Sequence, residues 1–187
     1  MADDSILASI SASGCGAGTA AAENVAPGIN GSRRIAQIDF ARVDALKARF
    51  EEAAAATGMP RALLAAIASR ESHCGAILDR NGEGDGGEAF GIMQVDKRSH
   101  QQEGRPDPRS QAHIDQASSI FGDYFRQMQQ KFTSASEAEQ LKAAVAAYNC
   151  GPGGVRSIAS PDDRTTHHDY ANDTCVRAQF FAERWAS

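Results

Sequence analysis

The chain has no surplus of basic residues: across its 187 residues, 19 Lys+Arg face 24 Asp+Glu, a net charge of −5. A nucleic-acid binder needs a basic stripe, so no nucleic-acid partner is expected. General cationic attraction to anionic walls or membranes is excluded on the same ground. The front half is the more acidic, with 8 basic and 12 acidic side chains in residues 1–93 against 11 and 12 in residues 94–187. Long apolar runs are also missing. The longest charge-free stretch that reads as helix, Ala62 to Ser69, falls far short of the roughly 20 residues a bilayer span requires, so no membrane insertion is expected. The opening Met1-Ala2-Asp3-Asp4 lacks the cationic start of a signal peptide. No CxxC occurs among the four cysteines, Cys15, Cys74, Cys150 and Cys175. Four cysteines allow three pairings, and spacing chooses neither among them nor against free thiols. Walker, GxSxG and HExxH motifs are absent, which leaves Walker-type nucleotide, nucleophile-elbow and zinc-hydrolase chemistry without a foothold.

What is present reads mostly as helix. The length predicts one domain, able to bury roughly two thirds of its unfolded surface. Residues 1–31, rich in Ala, Ser and Gly without a sustained period, are expected as an irregular N-terminal arm. Asp39 is placed to cap a helix with apolar positions Val43, Leu46, Phe50, Ala53 and Ala54, stopped by Gly58. Pro60 suits the first turn of the next helix, which carries Leu63, Leu64 and Ile67. Ile114, Ala117, Phe121, Tyr124, Phe125, Met128 and Phe132 mark a long amphipathic helix. Ser136 and Glu139 form a capping box before Leu141, Val145 and Tyr148, and Gly151-Pro152 ends that helix. A last helix is expected from about His168 to Trp185. Between Cys74 and Gly91 the texture changes: Gly75, Gly82, Gly84, Gly86, Gly87 and Gly91 punctuate a polar stretch that no helix tolerates. Phe90–Val95 follows as a short strand. The expected class is α+β, predominantly helical, with a small β region between helices.

Glu71 is the first residue with chemical promise. Leu64, Ile67 and Glu71, spaced i, i+3, i+7, share one helical face, so the carboxyl extends a buried apolar stripe toward the helix's C-terminal end. Desolvation and the negative end of the helix dipole both disfavour its charge, so its pKa should rise. A carboxyl protonated near neutral pH can serve as a general acid; the plainer alternative is a solvated glutamate paired with Arg70 or Arg98. The loop beyond it supplies Asp79, Glu83, Asp85 and Glu88, with Asp96 after the expected strand. A calcium frame opening at Asp79 fails at its twelfth position, where Phe90 stands in place of a bidentate Glu. Glycosidic cleavage instead needs one protonated carboxyl and one ionised carboxylate across the sugar, which Glu71 with Asp85 or Asp96 supplies. Ordinary solvated loop charge is the alternative for both aspartates. Cys150 with His167 or His168 and Asn172 has the residue types of a cysteine protease, but Cys150 follows a helix end and lacks a local signature.

At these residues the sequence resembles a known family. Ser69-Arg-Glu-Ser-His73, Gly84-Asp85, Phe90-Gly-Ile-Met-Gln-Val-Asp-Lys-Arg-Ser-His100, Ala147-Tyr-Asn149, Thr165-Thr-His167 and Asp169-Tyr-Ala-Asn-Asp173 closely resemble goose-type lysozymes, in order, from about residue 32 onward. Ile10-Ser-Ala-Ser-Gly-Cys15 is a weaker echo of the same family. The resemblance implies a lysozyme-like fold, with residues 32–187 as a single catalytic domain. It implies cleavage of the β-1,4 bond between N-acetylmuramic acid and N-acetylglucosamine in bacterial peptidoglycan. Glu71 falls where the family has its general acid, and Asp85 and Asp96 where it has the carboxylates that activate water in an inverting reaction. The implied substrate groove recruits His100, Tyr148, Asn149 and Tyr170, with Met93 and Gln94 lining it. Tyr148 and Tyr170 could equally be packing aromatics and His100 a surface residue.

Departures accompany the likeness. Where the family has Trp before Gly-Asp, this chain has Glu83, so a stacking surface is lost. The loop from Glu71 to Asp85 reads one residue longer. Cys15 resembles one family cysteine but has no matching partner. Because Cys74 and Cys150 flank the catalytic and groove motifs, they are expected to approach each other, leaving Cys15 for Cys175. A lytic transglycosylase, which shares several of these motifs but lacks a second carboxylate and yields anhydro-muropeptides, is the first alternative; a non-catalytic glycan-binding module is the second. The expected partner is bacterial peptidoglycan, met by a monomer with no cofactor and no metal. Contact with bacteria favours an extracellular setting, although the chain shows no leader and a cytoplasmic one stays open.

Overall fold

The computed structural model describes residues 4–186. Its α-helices are α1 (Ala17–Ala22), α2 (Ile29–Asp44), α3 (Lys47–Thr57), α4 (Arg61–Ser72), α5 (Gln111–Lys131), α6 (Glu137–Cys150) and α7 (Tyr170–Ala186). Between α4 and α5 lie β1 (Glu83–Gly84), β2 (Ala89–Phe90) and β3 (Val95–Asp96), a small antiparallel sheet in that order. The class is the expected one, helical with a small β region. None of the described helices is long and apolar enough to cross a membrane.

The core is built around α4. Ala62 through Ala68 are fully buried on every side, the mark of a helix surrounded by others rather than resting on one face. Helices α2, α3 and α7 pack against it, while α5 pairs with α6 and α3. The α5 stripe buries Ile114, Ala117, Phe121, Phe125 and Met128 as its period requires. Ser136 and Glu139 form the full capping box at the start of α6, and Gly151 ends it at φ 72°. Gly58, in the left-handed region at φ 75°, ends α3.

Four expectations are corrected. Asp39 caps nothing: it lies inside α2, fully buried, where it accepts from the Ser69 hydroxyl at 2.6 Å. The helix expected from Asp39 to Ala54 is therefore two, broken at Ala45–Leu46. The expected strand Phe90–Val95 is a hairpin, because Gly91 (φ 79°) and Gln94 (φ 49°) turn the chain between β2 and β3. Only glycine fits that turn: a Cβ on Gly91 would lie 2.3 Å from the His113 ring. The last helix begins at Tyr170, because His168 is left-handed at φ 55°.

The arm expected to be irregular is folded, its first three residues lying outside the described ones. Asp4–Ser9 form a 3-10 turn, α1 follows, and α2 runs across the boundary expected at residues 31/32. Leu7, Ile10, Cys15 and Ala20 are buried. The Leu7 and Ile10 carbonyls both accept from the Gln179 side chain at 2.9 Å, tying the segment to α7.

Neither expected disulfide forms; all four cysteines are free thiols. Cys15 points its thiol at the Ala26 and Gly28 carbonyls, Cys74 at the Arg42 carbonyl, and Cys150 at the adjacent Gly151 carbonyl. Burial pushes the Cys74 and Cys175 thiols up to about 12.

Candidate active site

Glu71 is the penultimate residue of α4, and Leu64 and Ile67 on its face are fully buried. Some of its surface stays open to a groove, yet the atoms packed around it strip the carboxyl of hydration. That desolvation pushes its pKa up to about 7, and the negative charge of Asp85 adds to the rise. Two groups oppose it: the Tyr170 hydroxyl, which donates to Glu71 Oε1, and the Arg70 guanidinium. The alternative ion pairs are absent. Arg70 binds Asp169 at 3.2 Å and Asp173 at 3.0 Å, and Arg98 binds Asp96 at 2.9 Å. The i, i+3, i+7 argument thus places the carboxyl on the buried face of α4, and among the described residues its direct hydrogen-bond partner is a phenol from α7.

Tyr170 is delivered by the turn ahead of α7. Asp162 caps that helix, accepting the Ala171 and Asn172 amides at 2.7 and 2.9 Å and the Thr165 hydroxyl at 2.9 Å. Behind the acid lies a buried polar network. Asp173 accepts from Arg70 at 3.0 Å and from Arg177 at 2.7 Å; Arg177 also donates to the Ser69 carbonyl and hydroxyl at 3.2 and 3.1 Å. His73, left-handed at the end of α4, sits between Asp39 (3.0 Å) and Glu23 (3.1 Å), whose hydrogen bonds push its pKa up to about 9. It is a fixed cation at the negative end of α4.

The two aspartates differ in their surroundings. Asp85 opens a 3-10 turn after β1 at φ 50°, a left-handed conformation that Asp tolerates and that often marks a working site. It is exposed, its carboxylate accepts no hydrogen bond among the described residues, and its charge reaches Glu71. Asp96, in β3, is clamped by the Arg98 side chain and amide, which hold its carboxyl below the ordinary range. Glu83, at the position where a tryptophan was expected to be lost, is a hub of charge instead. It binds Lys97 at 2.6 Å and Arg105 at 2.7 Å and so joins the hairpin to the following loop. Asp79 accepts the Asn81 and Glu83 amides, each at 2.8 Å, and so shapes the loop. Among the described residues, no group of three or more His, Cys, Asp or Glu side chains is arranged to hold a metal ion.

Two cavities meet at Asn149. One, of about 240 Å³, is lined by Glu71, Tyr170, Arg70, Thr19, Glu23 and His167. The other, of about 200 Å³, is lined by Asp96, His100, Gln94, Tyr124 and Tyr148. His100, Tyr148, Asn149, Tyr170 and Gln94 are thus brought together around Glu71 and Asp96. Met93 differs, contrary to expectation: its side chain is fully buried and it lines neither cavity, while its carbonyl accepts the Tyr148 hydroxyl at 2.8 Å. The Met93 amide donates at 3.1 Å to His113, a buried imidazole pushed down to about 4 by desolvation. Sequence reading missed His113, Asp162, Thr19 and the Arg70–Asp169 pair. His113 at least stood on the buried face of α5, one residue before Ile114; the others carry no local signal.

Comparison with known proteins identifies the family. The profile of the family described as lysozyme g matches residues 6–184. The chain is 42% identical over 156 residues to lysozyme g of Struthio camelus, covering 83% of this chain and 75% of that protein. It is 42% identical over 156 residues to lysozyme g of Gallus gallus (83% and 72% covered), and 36% identical over 157 residues to lysozyme g of Cyprinus carpio (84% and 83% covered). The chain belongs to the lysozyme g family. It is a glycosidase, and its substrate is bacterial peptidoglycan. Within lysozyme g terms, the match begins at residue 6, so the segment read as an irregular arm is part of the family's own sequence.

Proposed function

We propose that this lysozyme hydrolyses the muramic acid–glucosamine β-1,4 bond with inversion, Glu71 acting as general acid and Asp85 as the principal base. The observation that carries the reading is the Glu71 environment: a carboxyl pushed up to about 7, held by Tyr170, facing a cavity and feeling the charge of Asp85. Near neutral pH a substantial share of Glu71 is protonated, and Tyr170 on Oε1 leaves Oε2 to deliver the proton to the glycosidic oxygen. The bond breaks as positive charge develops on the sugar. An ionised carboxylate on the opposite face deprotonates a water, which attacks the anomeric carbon. Asp85 suits that role because it is exposed and its carboxylate accepts no hydrogen bond among the described residues. Asp96, neutralised by Arg98, serves to hold the sugar or the water. His100, Tyr148, Asn149 and Gln94 line the remainder of the groove, and the segment before residue 32 shares in the site through Thr19 and Glu23. The same reading has the enzyme work as a monomer outside cells, where peptidoglycan is met.

The test is the anomeric configuration of the first product, followed by NMR on peptidoglycan fragments. An α-anomer that later mutarotates is expected. A β-anomer first would refute inversion, and anhydro-muropeptides as the main product would refute hydrolysis.

A further inference from the structure

His167 lines the Glu71 cavity, and its contacts fix where its ring stands and which nitrogen faces Thr19. Its backbone is left-handed (φ 58°, ψ 10°), and His168 follows at φ 55°. Two adjacent non-glycine residues in that region are costly, and such strain persists where the surrounding structure imposes it. The ring lies on Gly18: a Cβ there would stand 2.9 Å from His167 Cγ.

The proton count is set by Thr19. Its hydroxyl has one hydrogen and two lone pairs. Asp169, a carboxylate paired with Arg70, takes the hydrogen at 2.9 Å. Arg70 Nη2 donates to one lone pair at 3.0 Å. His167 Nδ1 lies 3.2 Å from the same oxygen, and the charged carboxylate outcompetes a neutral imidazole for the single hydroxyl hydrogen. His167 Nδ1 must therefore carry a proton and donate to Thr19. In the neutral ring Nε2 is then the acceptor.

We infer that His167 is a specificity-determining residue, whose Nε2 accepts a hydrogen bond from a neutral donor on the glycan, a sugar hydroxyl or an acetamido N–H. The inference rests on the Glu71 cavity being the substrate groove. It concerns binding rather than proton delivery, so it fails separately from the acid assignment. The acid assignment answers to kcat of Glu71→Gln, whereas His167 answers to KM and to its own tautomer.

Two measurements on the full chain test it. Long-range 15N-correlated NMR at the assay pH should show neutral His167 protonated at Nδ1; an Nε2–H tautomer or an imidazolium overturns the inference. Steady-state kinetics of His167→Ala should show KM raised about tenfold, the value of one hydrogen bond, with kcat changed far less. That rise is expected on peptide-free chitooligosaccharide as well as on peptidoglycan. Unchanged KM on both, or a rise confined to peptidoglycan, overturns the assignment to the sugar. Gly18→Ala leaves the imidazole chemistry intact and crowds its seat, so it should raise KM in the same direction; no change would overturn the role of the seat.

Discussion

Arg70 and Asp169 pair at 3.2 Å, largely buried, one residue ahead of Glu71 and Tyr170 respectively. The ion pair and the acid–phenol pair therefore run side by side between the end of α4 and the start of α7. Arg70 also lies 5.5 Å from the centre of the Tyr170 ring. Geometry and proton affinity of the acid are thus set together.

Replacing Glu71 by Gln keeps the size of the side chain and removes the proton donor. Peptidoglycan hydrolysis, read as release of soluble muropeptides, should fall by roughly 10²–10⁴-fold, the usual worth of a positioned acid. Wild-type activity should decline as pH rises through about 7, because the acid is lost as it ionises.

Tyr170→Phe removes a donor that favours the charged carboxylate. The Glu71 pKa should climb further, and the alkaline limb of kcat/KM should move to higher pH. A limb that stays in place would mean that the hydroxyl does not tune the acid.

Asp85→Asn removes the negative charge that helps to raise Glu71. It should cost about 10²-fold or more in kcat as the base is lost, and the remaining activity should show an alkaline limb shifted downward. Asp96→Asn should leave that limb where it is.

His73 gives stability a pH window of its own. Its pKa is about 9 folded against 6.5 for the free side chain, so its contribution is complete below pH 6.5 and is lost as pH rises through 9. The loss is on the order of 2–3 kcal/mol. Thermal midpoints should fall across that interval, and His73→Gln should flatten the slope.

With no disulfide to reduce, the thermal midpoint should be indifferent to dithiothreitol. Titration of the unreduced, denatured chain with a thiol reagent should find all four cysteines.

Much of this was legible in the sequence where a local period or cap decides the outcome. The α5 stripe, the Ser136–Glu139 box, the Gly58 stop and the placement of Glu71 follow from spacing alone. What spacing could not supply was tertiary. Asp39 has the residue type of a cap, yet it sits mid-helix because Ser69, His73 and Arg42 satisfy it from other turns. The segment before α2 carries no period, since its order comes from bonds to residues about 150 positions away, such as Gly16 to Asp169 at 2.6 Å. The strand at Phe90–Val95 broke for a reason located in α5, the His113 ring. The motif residues Glu71, Tyr148, Asn149 and Tyr170 line the two cavities, whereas the residues that hold them in place carry little local signal.

The joining of front and rear has a temporal corollary. Thr19, Glu71 and Tyr170 belong to the first, middle and last parts of the chain, and Tyr170 opens the final helix. During synthesis the acid has no phenol beside it until that helix emerges, and contacts between such remote segments are slow to close. Until those segments meet, the acid lacks the hydroxyl that holds it.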